Sequence, residues 1–126
     1  MKRTVLVFAL LFSAAACPAA APAPTAHAEL EALLQDLAGS RCEFYRNGSW
    51  YPASKAASHL QRKLDYFESK GRLEDAAGFI ADGATRSSMS GEAYQVRCPG
   101  EPVEPSASWL NRRLEQLRSG RADIHH

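Results

Sequence analysis

Long apolar runs are nearly absent from this chain. The longest unbroken run spans residues 5–12 and has 8 residues, whereas a membrane-spanning helix needs about 20. It follows Lys2 and Arg3, and alanine and proline dominate from there to Ala28. A basic start, a short apolar segment and small residues are together typical of a secretory signal. We therefore expect residues 1–28 to direct export, with no transmembrane helix.

Two processing sites compete within this segment. Residues 26–28 (AHA) fit the small-x-small rule of signal peptidase and would release a soluble chain beginning at Glu29. Residues 14–17 (AAAC) form a loose lipobox, in which Cys17 would be lipidated and residues 18–28 would form a tether. Ala14 stands where a lipobox usually has leucine. A membrane attachment is expected only if Cys17 carries lipid, and the sequence leaves both alternatives open.

A charge excess of either sign is also missing. The chain has 15 Lys and Arg against 14 Asp and Glu, so it lacks the basic footprint of a nucleic-acid-binding protein. Neither a G-x-S-x-G elbow nor an S-x-x-K pair occurs. His59 has no second metal ligand at a favourable spacing, and we expect no metal and no cofactor.

Cysteine is scarce, with three in the chain. Cys17 is either removed or lipidated under the two processing schemes, which leaves Cys42 and Cys98. An even pair in an exported domain predicts a disulfide. The alternative is two buried free thiols.

Four stretches carry apolar residues at helical spacing, at residues 30–37, 56–67, 73–84 and 106–118. Glycines stand just after three of them, at Gly39, Gly71 and Gly120. The pattern predicts four helices in a single domain over residues 29–118, followed by a mobile tail over residues 119–126.

Two segments lack this spacing, and each contains one of the paired cysteines. Residues 42–46 lead into Asn47-Gly48, a strong turn signal, and residues 94–98 alternate apolar and polar side chains. The residues between Pro99 and Pro105 are expected to be an extended loop. The predicted fold is therefore mainly α, with about four helices and a short irregular or two-stranded element clamped by Cys42–Cys98.

Several motifs together resemble the YfeK-like family of small bacterial periplasmic proteins, a domain family of unknown function. They are CEFYRNGSWY at residues 42–51, an AxxHLxxK pattern from Ala56 to Lys63, SSMSGEAYQVRCPG at residues 87–100, and Trp109-Leu110. The resemblance covers nearly all of residues 29–118. It implies a periplasmic location and no particular activity. The residues whose importance it implies are Arg46, Asn47, Gly48, His59, Lys63, Ser87, Ser88, Ser90, Gly91, Tyr94 and Arg97.

A candidate binding patch follows from the spacing and from the disulfide. His59 and Lys63 are four residues apart and share one helix face, and the disulfide would bring Arg46 and Arg97 together. Such cations suit a carboxylate, a phosphate or a polyanionic glycan. The alternative is a solvated helix face. The full candidate patch comprises Arg46, Asn47, Trp50, Tyr51, His59, Lys63, Ser88, Ser90, Tyr94 and Arg97.

Three functions are compatible with these features. The first is a non-enzymatic envelope module that binds a partner protein or an anionic, cell-wall-like ligand. The second is a small periplasmic hydrolase using Ser88 or Ser90 with His59. The third is an inhibitor or immunity-type protein that blocks a cell-wall hydrolase through an exposed aromatic loop around Asn47.

Overall fold

The computed structural model describes Ala9 and residues 24–124, with side chains described as far as Gly120. The expectations for Cys17, for the rest of the export segment before residue 24 and for residues 125–126 lie outside the described residues. None of the helices in the described part is long and apolar enough to span a membrane. The elements in chain order are α1 (Ala26–Ala38), β1 (Glu43–Arg46), β2 (Ser49–Pro52), α2 (Ala53–Ser69), α3 (Ala76–Gly83), β3 (Gln95–Arg97), β4 (Glu104–Pro105) and α4 (Ser106–Ile124).

The four predicted helices are present, and the apolar stripes that predicted them face the core. The leucines of α1 and the Leu60, Leu64 and Phe67 stripe of α2 are buried. Helix α3 is shorter than its periodicity suggested, because Asp75 caps it by accepting a hydrogen bond from the Gly78 amide at 2.6 Å. Helix α4 continues beyond Gly120, its predicted end, to Ile124.

The prediction of a mainly α fold with a two-stranded or irregular element is wrong. The chain forms a four-stranded antiparallel sheet in the order β2-β1-β3-β4. Strand β2 completes a hairpin with β1, in which Asn47 and Gly48 take the positive φ angles of 48° and 89° that a type I′ turn requires. Pro105 was expected at the end of an extended loop, but it lies on β4; Pro52 lies on β2, and both are edge strands, where a proline need not donate to the ladder.

The disulfide is present in the predicted position. Cys42 precedes β1 and Cys98 follows β3, and their sulfurs are 2.03 Å apart. The two strands pair with Glu43 opposite Arg97, so the covalent link lies at the end of this antiparallel ladder. It fixes the register of the central strand pair.

The core lies between the inner face of the sheet and the helices. Phe44 and Val96 point into it from β1 and β3, and the indole of Trp109 on α4 meets the Phe44 ring edge to face at 5.6 Å between centroids. Helix α4 therefore supports the sheet from behind.

Helix α1 begins upstream of one predicted processing site. The Thr25 hydroxyl caps it by accepting a hydrogen bond from the Ala28 amide, and the His27 ring contacts the Glu68 carboxylate of α2. Glu29 is buried and is held by the guanidinium of Arg118 at 2.7 Å and 3.0 Å. Residues 26–28 thus form the first turn of a packed helix.

Candidate functional site

A groove runs between α2 and the β1–β2 hairpin. It consists of two adjoining cavities of about 490 and 550 Å³ that share Arg46, His59 and Arg62. The first cavity is lined by apolar and aromatic residues of the hairpin and of α2, together with Tyr94, which precedes β3. They are Phe44, Tyr45, Tyr51, Ala56, Leu60 and Tyr94. The second cavity is more polar, with Lys63, Arg72, Asp82 and Ser88 among its lining residues.

Helix periodicity explains why α2 presents both a core face and a groove face. Leu60 and Leu64 lie four residues apart on the buried stripe. Lys55, His59 and Arg62 recur at the same helical spacing on the adjoining stripe and line the groove. Strand β1 closes the opposite wall with Arg46, which lies on the same sheet face as Phe44 because strand side chains alternate.

The groove is cationic, and three of its basic side chains have no acidic partner in the part of the chain that the structure describes. Within the described part of the chain, Arg46, Lys55 and Arg62 form no ion pair and donate no side-chain hydrogen bond, and the Nε of Arg46 is buried without a partner. Asp82 is the single acidic side chain among the described lining residues of the two cavities. Outside the groove, by contrast, four arginines pair with carboxylates at Glu43, Glu104, Asp36 and Glu29.

His59 and Tyr94 form the centre of the groove. The His59 Nε2 and the Tyr94 hydroxyl are hydrogen-bonded at 3.1 Å, and the rings meet edge to face. Lys63 lies over the Tyr94 ring at 5.0 Å and donates to the Gly83 carbonyl at 2.9 Å. Burial, followed by the charges of Arg46, Lys63 and Arg62, lowers the pKa of His59 from 6.5 to about 4. The imidazole is therefore neutral at neutral pH.

Part of the predicted patch converges in this groove. Arg46, His59 and Tyr94 line the first cavity together with Tyr51. Arg46, His59 and Lys63 line the second together with Ser88. Residues of the hairpin, of α2 and of the segment that contains Tyr94 therefore lie in one groove.

Arg97 and Trp50 lie on the other side of the sheet. Arg97 pairs in register with Glu43, whose side chain points away from the Phe44 face. Its guanidinium donates to the Glu43 carboxylate at 3.1 Å and stacks over the Trp50 ring at 4.1 Å. Arg97 lies opposite Glu43, three positions along β1 from Arg46, and the alternation of side chains sends Arg46 and Arg97 to opposite faces of the sheet.

In the serine loop, residues 87–91, the Ser87 and Ser90 hydroxyls form hydrogen bonds within the turn or with the neighbouring hairpin. The Ser87 hydroxyl is buried and accepts hydrogen bonds from the Met89 and Ser90 amides. The Ser90 hydroxyl donates to Asn47 Oδ1 at 2.6 Å and accepts from the Glu92 amide. Asn47 and Ser90 therefore join the hairpin turn to this loop. His59 has Tyr94, and not a serine hydroxyl, as its hydrogen-bond partner.

Arg62 is one of the groove residues that sequence reasoning missed, with Ser58, Arg72 and Ser106. It stands three residues after His59, and a residue at i+3 shares a helix face with residue i just as Lys63 does at i+4. The floor residues Phe44 and Leu60 carry no comparable signal, because an apolar side chain lining a cavity has the same sequence signature as one in the core.

The described residues contain no group of three or more His, Cys, Asp or Glu side chains placed to hold a metal ion.

The fold and the groove define a small disulfide-bonded domain in which helices cover one face of a four-stranded antiparallel sheet. Residues 24–118 match a family of unknown function, DUF5329, and the chain belongs to that family. No curated protein matches the chain. No solved structure matches it either. The family match supports the resemblance noted from the motifs as far as a domain of unknown function, and it carries no location or activity.

Proposed function

We propose that this chain is an exported, non-enzymatic binding module that holds an anionic ligand of the bacterial envelope in the groove between α2 and the hairpin. The observation that carries the proposal is a set of three cations, Arg46, Lys55 and Arg62, that line one cavity and form no ion pair with another described residue. A buried guanidinium nitrogen without an acceptor costs stability. A ligand oxygen would offset that cost, since Arg binds carboxylates and phosphates through charge-assisted hydrogen bonds.

The hydrolase alternative is less well supported. It needs a serine hydroxyl near the His59 imidazole, whereas the Ser90 hydroxyl is bound to Asn47 and the His59 Nε2 to Tyr94. Ser88 shares the second cavity with His59, which is compatible with binding as much as with catalysis. The inhibitor alternative needs an exposed aromatic loop, but Tyr45, Trp50 and Tyr51 beside the Asn47 turn are half-buried.

Replacing Arg46 tests the binding proposal. We expect Arg46→Gln to weaken binding of inorganic phosphate about 10-fold or more, because a hydrogen bond to a charged group contributes about 1.5–3 kcal/mol. Isothermal titration or NMR shift titration at constant ionic strength measures the affinity. Arg41→Gln is the matched control, since Arg41 is exposed and lies outside the groove.

The stability of the two variants shows whether a loss of phosphate binding comes from the binding site itself or from unfolding. Arg46 has no described partner to lose, so Arg46→Gln is expected to leave the urea midpoint unchanged or to raise it. Equal phosphate binding by wild type, Arg46→Gln and Arg41→Gln would contradict the proposed function.

We also propose that the chain is exported and that its N-terminal segment is cleaved or lipidated upstream of Thr25. Cleavage after Ala28 would remove the Thr25 cap and the His27 contact with Glu68, and it would leave a new ammonium group at the positive end of the α1 dipole. Cleavage or lipidation further upstream, including at Cys17, keeps the first turn of α1 intact.

Mass spectrometry of the native protein, isolated from fractionated cells, reads the N-terminus directly. We expect a periplasmic or membrane-attached product whose first residue precedes Thr25. A product beginning at Glu29 would refute upstream processing, and an unprocessed cytoplasmic chain would refute export.

A further inference from the structure

We propose that the ligand of the groove is an anionic sugar, with its carboxylate or phosphate between Arg46 and Arg62 and its ring in the first cavity. This inference rests on the proposed function and names the chemical class of the ligand. It follows from the different character of the two cavities and from the polar groups that line the first one.

The anionic group is placed by the residues that the cavities share. Arg46 enters from the sheet side and Arg62 from α2, and both border each cavity. An anion at this junction would be held from two directions by guanidinium groups, which bind planar or tetrahedral oxyanions through paired donors. Lys63 contributes less, because its ammonium group already donates to the Gly83 carbonyl.

The ring is placed by the apolar floor of the first cavity. Phe44, Ala56 and Leu60 form the base, and tyrosine rings stand at Tyr51 and Tyr94. The volume of about 490 Å³ lies within the usual range for small-molecule sites. Aromatic side chains with a polar tip accept a ligand that has both an apolar face and hydroxyl groups.

The hydroxyl groups favour a sugar over an aromatic ring. The Tyr51 hydroxyl makes no hydrogen bond to another described residue, and its side chain is half-buried. The Ser58 hydroxyl donates to the Ser54 carbonyl of its own helix and still has acceptor capacity. Among the described residues, the hydrogen bond between Nε2 and the Tyr94 hydroxyl is the only one that the neutral His59 ring forms. An aryl ligand would desolvate these groups without partners, whereas sugar hydroxyls would pair with them.

The test compares four probes at constant ionic strength with the folded, oxidised protein, by isothermal titration. They are glucose, inorganic phosphate, glucose 6-phosphate and phenyl phosphate. We expect glucose 6-phosphate to bind at least about 10-fold more tightly than phosphate and more tightly than phenyl phosphate, with glucose weakest. Tyr51→Phe should weaken glucose 6-phosphate binding about 3- to 10-fold and leave phosphate binding unchanged, as expected for one lost hydrogen bond.

The outcomes separate this inference from the proposed function. Phosphate binding that depends on Arg46, with no gain from the sugar, would overturn the sugar assignment and leave the anion site standing. Tighter binding of phenyl phosphate would overturn it in favour of an aryl anion. If glucuronate and tri-galacturonate replace the phosphate probes, tighter binding of the trimer indicates a glycan chain as the source, and equal binding indicates a free sugar acid.

Discussion

Removing the disulfide by the paired substitutions Cys42→Ser and Cys98→Ser is expected to lower the free energy of unfolding by about 4 kcal/mol. The cysteines are 56 residues apart in sequence, and the loop they close contains α2 and α3. A link across so long a loop restricts the unfolded chain strongly, and in the folded state it fixes the register of β1 and β3. Urea unfolding of the variant and wild type measures the difference.

Chemical reduction of the wild-type protein is the matched control for this variant. It leaves the sequence unchanged and opens the same bond, so we expect a loss of similar size. A loss below about 1 kcal/mol in both experiments would show that strand pairing alone holds the sheet, contrary to the chain-entropy estimate.

Trp109→Ala is expected to destabilise the domain by about 3–5 kcal/mol, the usual range for truncating a buried tryptophan. The indole is 3% exposed and packs edge to face on Phe44, whose other side forms the floor of the first cavity. Its loss would leave a void behind the groove and weaken the contact between α4 and the sheet. Thermal or urea unfolding measures the effect.

Trp109→Phe provides the comparison for this second prediction. A phenyl ring restores part of the volume and the edge-to-face contact, so we expect it to recover more than half of the lost stability. A destabilisation below about 1 kcal/mol for Trp109→Ala would mean that α4 does not support the sheet in solution.

The helices were predictable from sequence because each one has a regular apolar stripe. The leucines of α1 and the Leu60–Leu64 pair of α2 define their faces by periodicity alone. The disulfide was predictable because an even pair of cysteines is left once Cys17 is assigned to the expected export segment. These features depend on local spacing or on counting, and both can be read from one chain.

The sheet was only half predictable because two of its strands are short and end in proline. Strand β2 (Ser49–Pro52) leads directly into α2, and β4 (Glu104–Pro105) has only two residues. Their pairing depends on tertiary contacts with β1 and β3. The same limit applies to the position of Arg97. Strand register decides on which side of the sheet its side chain lies, and cysteine spacing alone does not specify that register.

The candidate site was predictable where one helix carries it. His59 and Lys63 share a face by spacing, and Arg62 follows from the same rule. The meeting of α2 with Arg46 and Tyr94 required the folded sheet, as did the hydrogen bond between His59 and Tyr94. The absence of a carboxylate partner for Arg46 among the described residues is a tertiary property too, and it is the feature that points to a ligand.

The pKa of His59 tests most directly whether the groove binds an anion. In the free protein, burial and the charges of Arg46, Lys63 and Arg62 hold this pKa at about 4. An anion between the two arginines would offset their effect and stabilise the imidazolium, so NMR titration in phosphate should give a higher His59 pKa than titration in chloride at equal ionic strength. His27, whose pKa is raised mainly by its hydrogen bond to Glu68, lies outside the groove and should respond equally to both salts. A His59 pKa that is the same in phosphate and in chloride would contradict anion binding in the groove.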